Sequence, residues 1–322
     1  MTAQRPLRLG VMGCAEFALR RMLPAVADSP DIELAAVASR RPATAREVAA
    51  RFGGIPVDGY EQLLAVPDLD AVYVPLPNAL HAEWVLRALD AGRHVLAEKP
   101  LTTRGDLTRE AVRRAEERGL ALVENFLFVH HPQHARVRAL IDDEIGELRQ
   151  MSAAFAIPPR PADDIRHRPD LGGGALLDVG VYPLKAAQYF LGTGLHVVGA
   201  ALRYGSTGVD VEGSVLLRRA DGVCAQLSFG MDHAYTSRYE LWGTRGRVTV
   251  NRAFTPPADH RPEVTVERDG RTRGVELAAA DQCAAAVAAF AAAVRAPATC
   301  HEAAARSVDL ARLTDEIRTA AV

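Results

Sequence analysis

No stretch of the 322 residues is long and apolar enough to read as a membrane span; the most apolar segments are alanine-rich and broken by charges. Met1 to Arg8 lacks the apolar core of a signal peptide and runs straight into a strand pattern. Basic residues do not dominate. There are 38 Lys and Arg against 40 Asp and Glu, a net charge of −2, and no basic tract, which argues against a nucleic-acid partner. Only four cysteines occur, Cys14, Cys224, Cys283 and Cys300, without CxxC spacing. They read as reduced thiols of a cytoplasmic protein and not as a metal site. Internal repeats and low-complexity linkers are absent as well. What remains is ordinary for a globular chain, 48% hydrophobic and 24% charged. The length suggests two domains of about 150 residues each, ample for a sizeable core.

The first half alternates strands and helices. Leu7 to Met12 is an apolar run that enters Gly13-Cys14-Ala15-Glu16-Phe17-Ala18, and a helical pattern continues to about Ala27. This is a GxGxxG turn with alanine at its second and third glycine positions. Gly13 supplies the tight turn, and the helix N-terminus offers N–H groups to a pyrophosphate. The second strand, Ile32 to Ala38, ends in Ser39-Arg40-Arg41. An NAD site usually carries an acidic residue there for the ribose 2′-OH. A hydroxyl and two guanidiniums suit a 2′-phosphate instead, so NADP(H) is favoured. Further units follow: a strand at Ala71–Val74, the rigid loop Pro75-Leu76-Pro77-Asn78, and a helix from about Leu80 to Ala91 with His81 in its first turn. A sixth strand, Leu120 to Val123, ends at Glu124-Asn125. A doubly wound parallel sheet, a Rossmann domain, is the expected architecture of this half.

The centre of the pattern is Ala97-Glu98-Lys99-Pro100, after the buried strand His94–Ala97. A lysine there sits at the carboxyl edge of the parallel sheet, where ligands bind. Pro100 restricts Lys99 to extended backbone and admits a cis bond. An ammonium fixed at that edge suits a reaction that develops negative charge on oxygen. The bland reading is a solvated lysine before a turn. His130-His131-Pro132-Gln133-His134 has no carboxylate or cysteine to complete a metal site, so capping or cleft-lining histidines are expected.

After Gly146 the texture changes. Glu147–Ile157 reads as a strand, followed by a Pro-rich loop and the basic run Arg166-His167-Arg168. Gly172-Gly173-Gly174 opens a long helix, Ala175–Phe190, on which Asp178 and Tyr182 lie four apart and share a face. From His196 to about Glu276 the pattern is β-rich and alternating, fitting an open, mostly antiparallel sheet. The end is helical, Asp281–Val294 and His301 to about Thr319. The expected division is residues 1–125, a dinucleotide domain; 126–300, an α+β domain for substrate and oligomerisation; and 301–322, a helix packing back on the first domain.

These residues carry a resemblance. Over nearly its whole length the chain resembles the glucose–fructose oxidoreductase / inositol dehydrogenase family, through the Gly13 turn, Glu98-Lys99-Pro100 and Gly172–Gly180 in that order. The resemblance implies a catalytic Lys99, a cis Pro100, and cofactor contacts from Glu98, Leu76, Pro77 and His81. Together with the turn and loop residues, the candidate cofactor set is Gly13, Cys14, Ala15, Phe17, Ser39, Arg40, Arg41, Leu76, Pro77, Asn78, His81, Glu98, Lys99 and Asn125. Inositol dehydrogenases place histidine where this chain has Tyr182, and aspartate where it has Lys185. Tyr182 is similar to the branch of nucleotide-sugar 3-ketoreductases and dihydrodiol dehydrogenases. Tyr73–Pro77, Phe128–His131, Gly180–Leu184, Tyr239–Gly243 and Arg252–Pro257 look most like the 3-ketoreductases of antibiotic deoxysugar pathways. Those enzymes reduce the C3 ketone of a dTDP-3,4-diketo-2,6-dideoxyhexose with NADPH.

The implied catalytic set is Lys99, Tyr182 and Asp178: Tyr182 as general acid, the Lys99 ammonium stabilising its phenolate and polarising the ketone, Asp178 orienting the sugar or Lys99. A nucleotide sugar, a homo-oligomer of two or four chains and no metal complete the expectation. A dihydrodiol or sugar dehydrogenase is the alternative enzyme. A non-catalytic NADP-binding regulator is the alternative of another class, against which the presence of both Lys99 and Tyr182 argues.

Overall fold

The apolar runs of the first half form strands β1 (Leu7–Met12), β2 (Ile32–Ser39), β3 (Ile55–Asp58), β4 (Ala71–Val74), β5 (His94–Glu98) and β6 (Leu122–Asn125). In the computed structural model, which describes residues 5–322, they make one parallel six-stranded sheet in the order β3-β2-β1-β4-β5-β6. β4 is buried at all four positions, as a strand covered on both faces requires. Helices α1 (Leu23–Ala27), α2 (Pro42–Phe52), α3 (Tyr60–Leu64), α4 (Asn78–Asp90) and α5 (Gly105–Glu117) complete the doubly wound pattern. The chain winds outward from β1 to β3, then returns to β4 beside β1. That reversal opens a crevice at the carboxyl ends of β1 and β4. β3 is the strand the apolar pattern does not mark. It is short, exposed and contains Pro56, which only an edge strand tolerates.

The second half contributes α6 (Pro132–Leu140), β7 (Leu148–Ala156), α7 (Val181–Leu191), strands β8 (His196–Tyr204), β9 (Asp210–Arg218), β10 (Cys224–Gly230), β11 (Thr236–Gly243), β12 (Gly246–Asn251), β13 (Glu263–Arg268) and β14 (Arg271–Val275), and then α8 (Gln282–Arg295) and α9 (His301–Ala320). The eight strands lie in the order β14-β13-β12-β11-β7-β10-β9-β8, and every pair is antiparallel except β7 with β10. Alternation along β9 and β11 buries one face. Its core joins Phe155, Phe229, Tyr239, Leu241 and Val250 to Leu184 and Phe190 of α7.

The helix expected at Ala175–Phe190 is present but not uniformly α-helical. Leu176–Gly180 is a π turn that leads into α7, and Ala18–Met22 is a π turn that leads into α1. In each case a proline follows, Pro24 or Pro183. Proline lacks the N–H for the carbonyl four residues back and its ring crowds that carbonyl, which a widened turn relieves.

The chain divides into two units, one running to Asn125 and resuming at Cys283–Val308, the other Phe126–Gln282 with Asp309–Val322. This differs from the expected division at the C-terminal end. Cys283–Arg295 and the start of α9 join the first unit, where Arg295 pairs with Asp31 at 2.7 Å, Ala304 enters the core and Ser307 donates to Glu124 at 2.6 Å. From Asp309 the same helix joins the second unit. Its Leu310, Leu313 and Ile317 are core residues there, and Gln188 donates to Asp309 at 2.8 Å. One alanine-rich helix thus carries two apolar faces in series, which a composition reading does not separate.

Candidate active site

In the first unit, the predicted cofactor residues converge on one sheet edge. Gly13 follows β1, Ser39 ends β2, Pro75–Pro77 follow β4, Glu98 ends β5 and Lys99 follows it, and Asn125 ends β6. The Gly13 N–H donates to Ala38 O at 2.8 Å, which ties the turn to β2. Gly13 has φ +105°, and a Cβ there would lie 2.7 Å from the Leu76 side chain. Only glycine lets the two loops approach this closely. Cys14 is half-buried, while Ala15 and Phe17 are exposed. Burial pushes the Cys14 thiol up, with the Ser39 hydroxyl acting the other way. Ser39 is buried and its Oγ accepts from the Arg41 N–H at 3.2 Å, while Arg40 and Arg41 are exposed. Tyr60, edge-on to Trp84 at 4.9 Å, lies beside Arg40; burial raises its hydroxyl and the Arg40 charge opposes that. Sequence reasoning missed Tyr60, which follows the unmarked strand β3.

The Lys99–Pro100 peptide is cis. The residues around Lys99 are pinned. Glu98 Oε1 accepts from Tyr73 Oη at 2.6 Å and from Asn125 Nδ2 at 2.8 Å. Burial pushes the Glu98 carboxyl up, and these two hydrogen bonds and the Lys99 ammonium pull it down. Burial, then Glu98, drive the Tyr73 hydroxyl well above its ordinary range. His81 is fully buried, its Nδ1 2.7 Å from Pro100 O and its Nε2 2.8 Å from Leu76 O. Its side chain therefore sits between the two loops inside the protein, and with one N–H when neutral it donates to one of these carbonyls. Burial holds its imidazole below the ordinary value. Across from Pro100, Glu124 Oε1 accepts from the Leu101 N–H at 2.8 Å. Asn125 Oδ1 is buried and has no hydrogen-bond partner among the described residues.

In the second unit, Asp178 and Tyr182 are half-buried while Leu177, Val179, Val181 and Leu184 between and beside them are buried. Tyr182 stands among four phenylalanines, with ring centroids 5.7 Å from Phe126, 6.1 Å from Phe128, 4.9 Å from Phe155 and 5.8 Å from Phe254. Lys185 Nζ lies 5.2 Å from the Phe126 ring centre, a cation–π contact. Asp178 Oδ2 accepts from Arg166 Nε at 2.5 Å, a partner the sequence did not indicate. His131 caps α6, its Nδ1 accepting from the Gln133 N–H at 3.2 Å. His134 is buried against Tyr239 Oη at 2.8 Å and Ala253 O at 3.1 Å; burial brings its pKa down to about 3, so it is neutral at pH 7. Among the described residues, no cluster of His, Cys, Asp and Glu could hold a metal, and no helix is long and apolar enough to cross a membrane.

Residues 7–126 match the family described as "Oxidoreductase family, NAD-binding Rossmann fold", and residues 134–249 match the "GFO/IDH/MocA C-terminal domain". A dTDP-3,4-didehydro-2,6-dideoxy-alpha-D-glucose 3-reductase of Actinomadura kijaniata is 52% identical over 98% of this chain and 96% of its own length. The chain belongs to the Gfo/Idh/MocA oxidoreductase family. A protein of the same name from Streptomyces violaceoruber is 53% identical over 90% of this chain and 86% of its own. The crystal structure of a 3-ketoreductase from Actinomadura kijaniata, in complex with NADP and TDP-benzene, superposes with TM-score 0.96 at 52% identity, covering 98% of both chains. Family membership accounts for the Rossmann sheet followed by the open antiparallel one.

Proposed function

We propose that this protein is an NADPH-dependent reductase of the C3 ketone of a dTDP-3,4-diketo-2,6-dideoxyhexose, giving the 3-hydroxy-4-keto sugar. The observation that carries the reading is full-length similarity at about half identity to 3-reductases of this substrate, in a chain that keeps Lys99, Asp178 and Tyr182. The first unit fits the cofactor. A Cβ at Gly13 would meet the Leu76 side chain at 2.7 Å, so the bare glycine keeps the turn open beside that loop, and Asn125 Oδ1, buried and without a partner among the described residues, is an acceptor awaiting a donor. The turn Gly13–Ala15, flanked by Phe17, would hold the pyrophosphate. Ser39, Arg40 and Arg41 would hold the 2′-phosphate, and Leu76, Pro77, Asn78, Glu98 and Asn125 the nicotinamide end.

NADPH, when bound, supplies a hydride. The protein manages the charge and the proton. The Lys99 ammonium polarises the C3 carbonyl and stabilises the oxyanion that develops. Tyr182 gives its hydroxyl proton to that oxygen, and Asp178 orients the sugar. The aromatic surroundings of Tyr182 keep water from competing for the proton. Four free thiols suit a reducing, cytoplasmic setting. Val198, Tyr204 and Trp242, exposed on the second sheet, suit pairing with further copies of the chain. The test is NADPH consumption with the diketo sugar nucleotide, with NMR of the product. Reduction at C3 is expected; absence of turnover with it, beside NADP-dependent oxidation of simple aldoses, refutes the reading.

A further inference from the structure

The basic run Arg166-His167-Arg168 acquires a role from its surroundings. Asp164 Oδ1 accepts from the Arg166 N–H at 2.9 Å and so caps the short turn Ile165–His167. The Gly174 N–H donates to Arg166 O at 3.0 Å, and the Gly173 N–H to Arg168 O at 2.9 Å. A Cβ on Gly173 would lie 2.4 Å from Arg166 O, and one on Gly174 2.3 Å from Asp210 Oδ1. Gly173 therefore lets the loop backbone lie directly on the start of the helix and Gly174 makes room for the Asp210 carboxylate, while the Arg166 side chain runs back along the helix. There its Nε meets Asp178 Oδ2 at 2.5 Å, and its Nη1 meets both oxygens of Asp164 at 3.1 Å.

We infer that Arg166 is a positioning residue of the reaction: it fixes the Asp178 carboxylate four residues ahead of Tyr182. Two features separate this from the obvious alternative, an anchor for the substrate's diphosphate. The trio of one guanidinium and two carboxylates is net negative, which repels a phosphate. Two of the three guanidinium nitrogens are already engaged, Nε on one carboxylate and Nη1 on the other. Burial disfavours its charge, yet Asp178 and Asp164 outweigh burial and hold it above its ordinary range. A lysine offers one ammonium nitrogen in place of two nitrogens held at fixed spacing, so it does not reproduce this pair of contacts.

The inference rests on the reading of Asp178 as part of the reductase site, so the test includes Asp178→Asn. Steady-state kinetics with NADPH and the diketo sugar nucleotide are measured for Arg166→Ala, Arg166→Lys, Asp178→Asn and the double variant Arg166→Ala/Asp178→Asn. Loss of a charge-assisted hydrogen bond should lower kcat of Arg166→Ala by roughly 10- to 100-fold. The KM for NADPH should not move, because Arg166 belongs to the second unit. Added guanidinium ion should restore part of the lost rate in Arg166→Ala and none in Asp178→Asn. The double variant should lose no more than the worse single one, since the two act as a unit. A native kcat in Arg166→Ala, or losses that multiply, overturns the inference. If Arg166→Ala folds poorly, Arg166→Lys decides: a well-folded Lys variant at native rate overturns it, and an intermediate rate supports it. If Asp178→Asn is fully active, the reading of the site fails and the inference with it. A slow Asp178→Asn beside a native Arg166→Ala sinks the inference alone.

Discussion

Replacing Tyr182 by phenylalanine removes one oxygen from a ring held by four others, with centroids 4.9 to 6.1 Å away. Three of these contacts are close to edge-on or tilted at more than 45°, geometries that do not depend on the hydroxyl. The fold should therefore register the change little: the ring packing stays, and loss of a hydroxyl interaction costs about 0.5–1.5 kcal/mol. The rate should register it. General acid catalysis contributes about 10²- to 10⁴-fold, or roughly 3 to 5 kcal/mol of barrier. Single-turnover measurement with excess enzyme isolates the chemical step from product release. Tyr182→Leu is the control. It removes the proton donor and also the four ring contacts, each worth about 0.5–1.5 kcal/mol beyond burial, so it should lose a similar rate and several kcal/mol of stability. A Phe variant with a near-native single-turnover rate would refute the assignment and leave Lys99 as the proton source. A Phe variant that melts as early as the Leu variant would refute the packing argument instead.

Arg40→Ala should weaken NADPH binding by roughly 1–3 kcal/mol and leave NADH nearly unchanged, measured by fluorescence titration; equal losses would dismiss the 2′-phosphate assignment. Gly13→Ala forces a side chain to φ +105° and its Cβ to 2.7 Å from Leu76. About 1–3 kcal/mol of stability should be lost by denaturant titration, with NADPH affinity falling too; an unaffected variant would show that the turn has room. Glu98→Gln probes a carboxyl that burial pushes up. A carboxyl raised in the folded state disfavours folding once ionised, so stability is lost as pH rises from the ordinary Glu range, about 4.3, through the raised folded value. Glu98→Gln should therefore melt above the native protein near pH 7 and converge with it in acid, while its reductase activity falls. A Tm difference that grows toward low pH would contradict this sign.

Local pattern carried the first sheet well, because strands buried on both faces read as unbroken apolar runs, as at Ala71–Val74. It carried Gly13 and the Glu98-Lys99-Pro100 triplet for the same reason: a turn or a strand end is a short-range event. It did not mark β3, whose stability comes from pairing with Ala36–Ser39 and not from its own exposed residues. Nor did it show that Leu176–Gly180 winds as a π turn, since only the position of Pro183 hints at it. The supporting residues were the least legible. Tyr73, Glu124 and Arg166 reach Glu98, Leu101 and Asp178 across 25, 23 and 12 residues of sequence. Contacts at those separations follow no helical or strand period. The split of α9 after Val308 was hidden because Ala304 and Leu310 look alike in an alanine-rich helix, although they enter different cores.

The supporting contacts suggest why the first unit accepts a half-buried glutamate at the end of an apolar sheet. Every neighbour of Lys99 in the triplet and its continuation is tied by a different group. Residue 98 is held through its carboxylate by Tyr73 and Asn125, the carbonyl of residue 100 lies against the buried His81 ring, and the N–H of residue 101 is held by Glu124. With residues 98, 100 and 101 fixed, the backbone of Lys99 has little left to lose when ligands bind. An ammonium that needs no reorganisation at the moment of reaction stabilises a developing oxyanion far better than one that must first be ordered. The second unit repeats the principle with different parts. Four rings confine Tyr182, and Arg166, itself gripped by Asp164 and the glycine turn, confines Asp178. Buried polar groups of this kind lower stability when left half-satisfied, as Asn125 is at its Oδ1, yet each makes at least one contact to a group next to a residue assigned to the chemistry. Their placement is better explained by the positioning of Lys99 and Asp178 than by stability, because an apolar residue at position 98 would pack the end of β5 without desolvating a carboxylate.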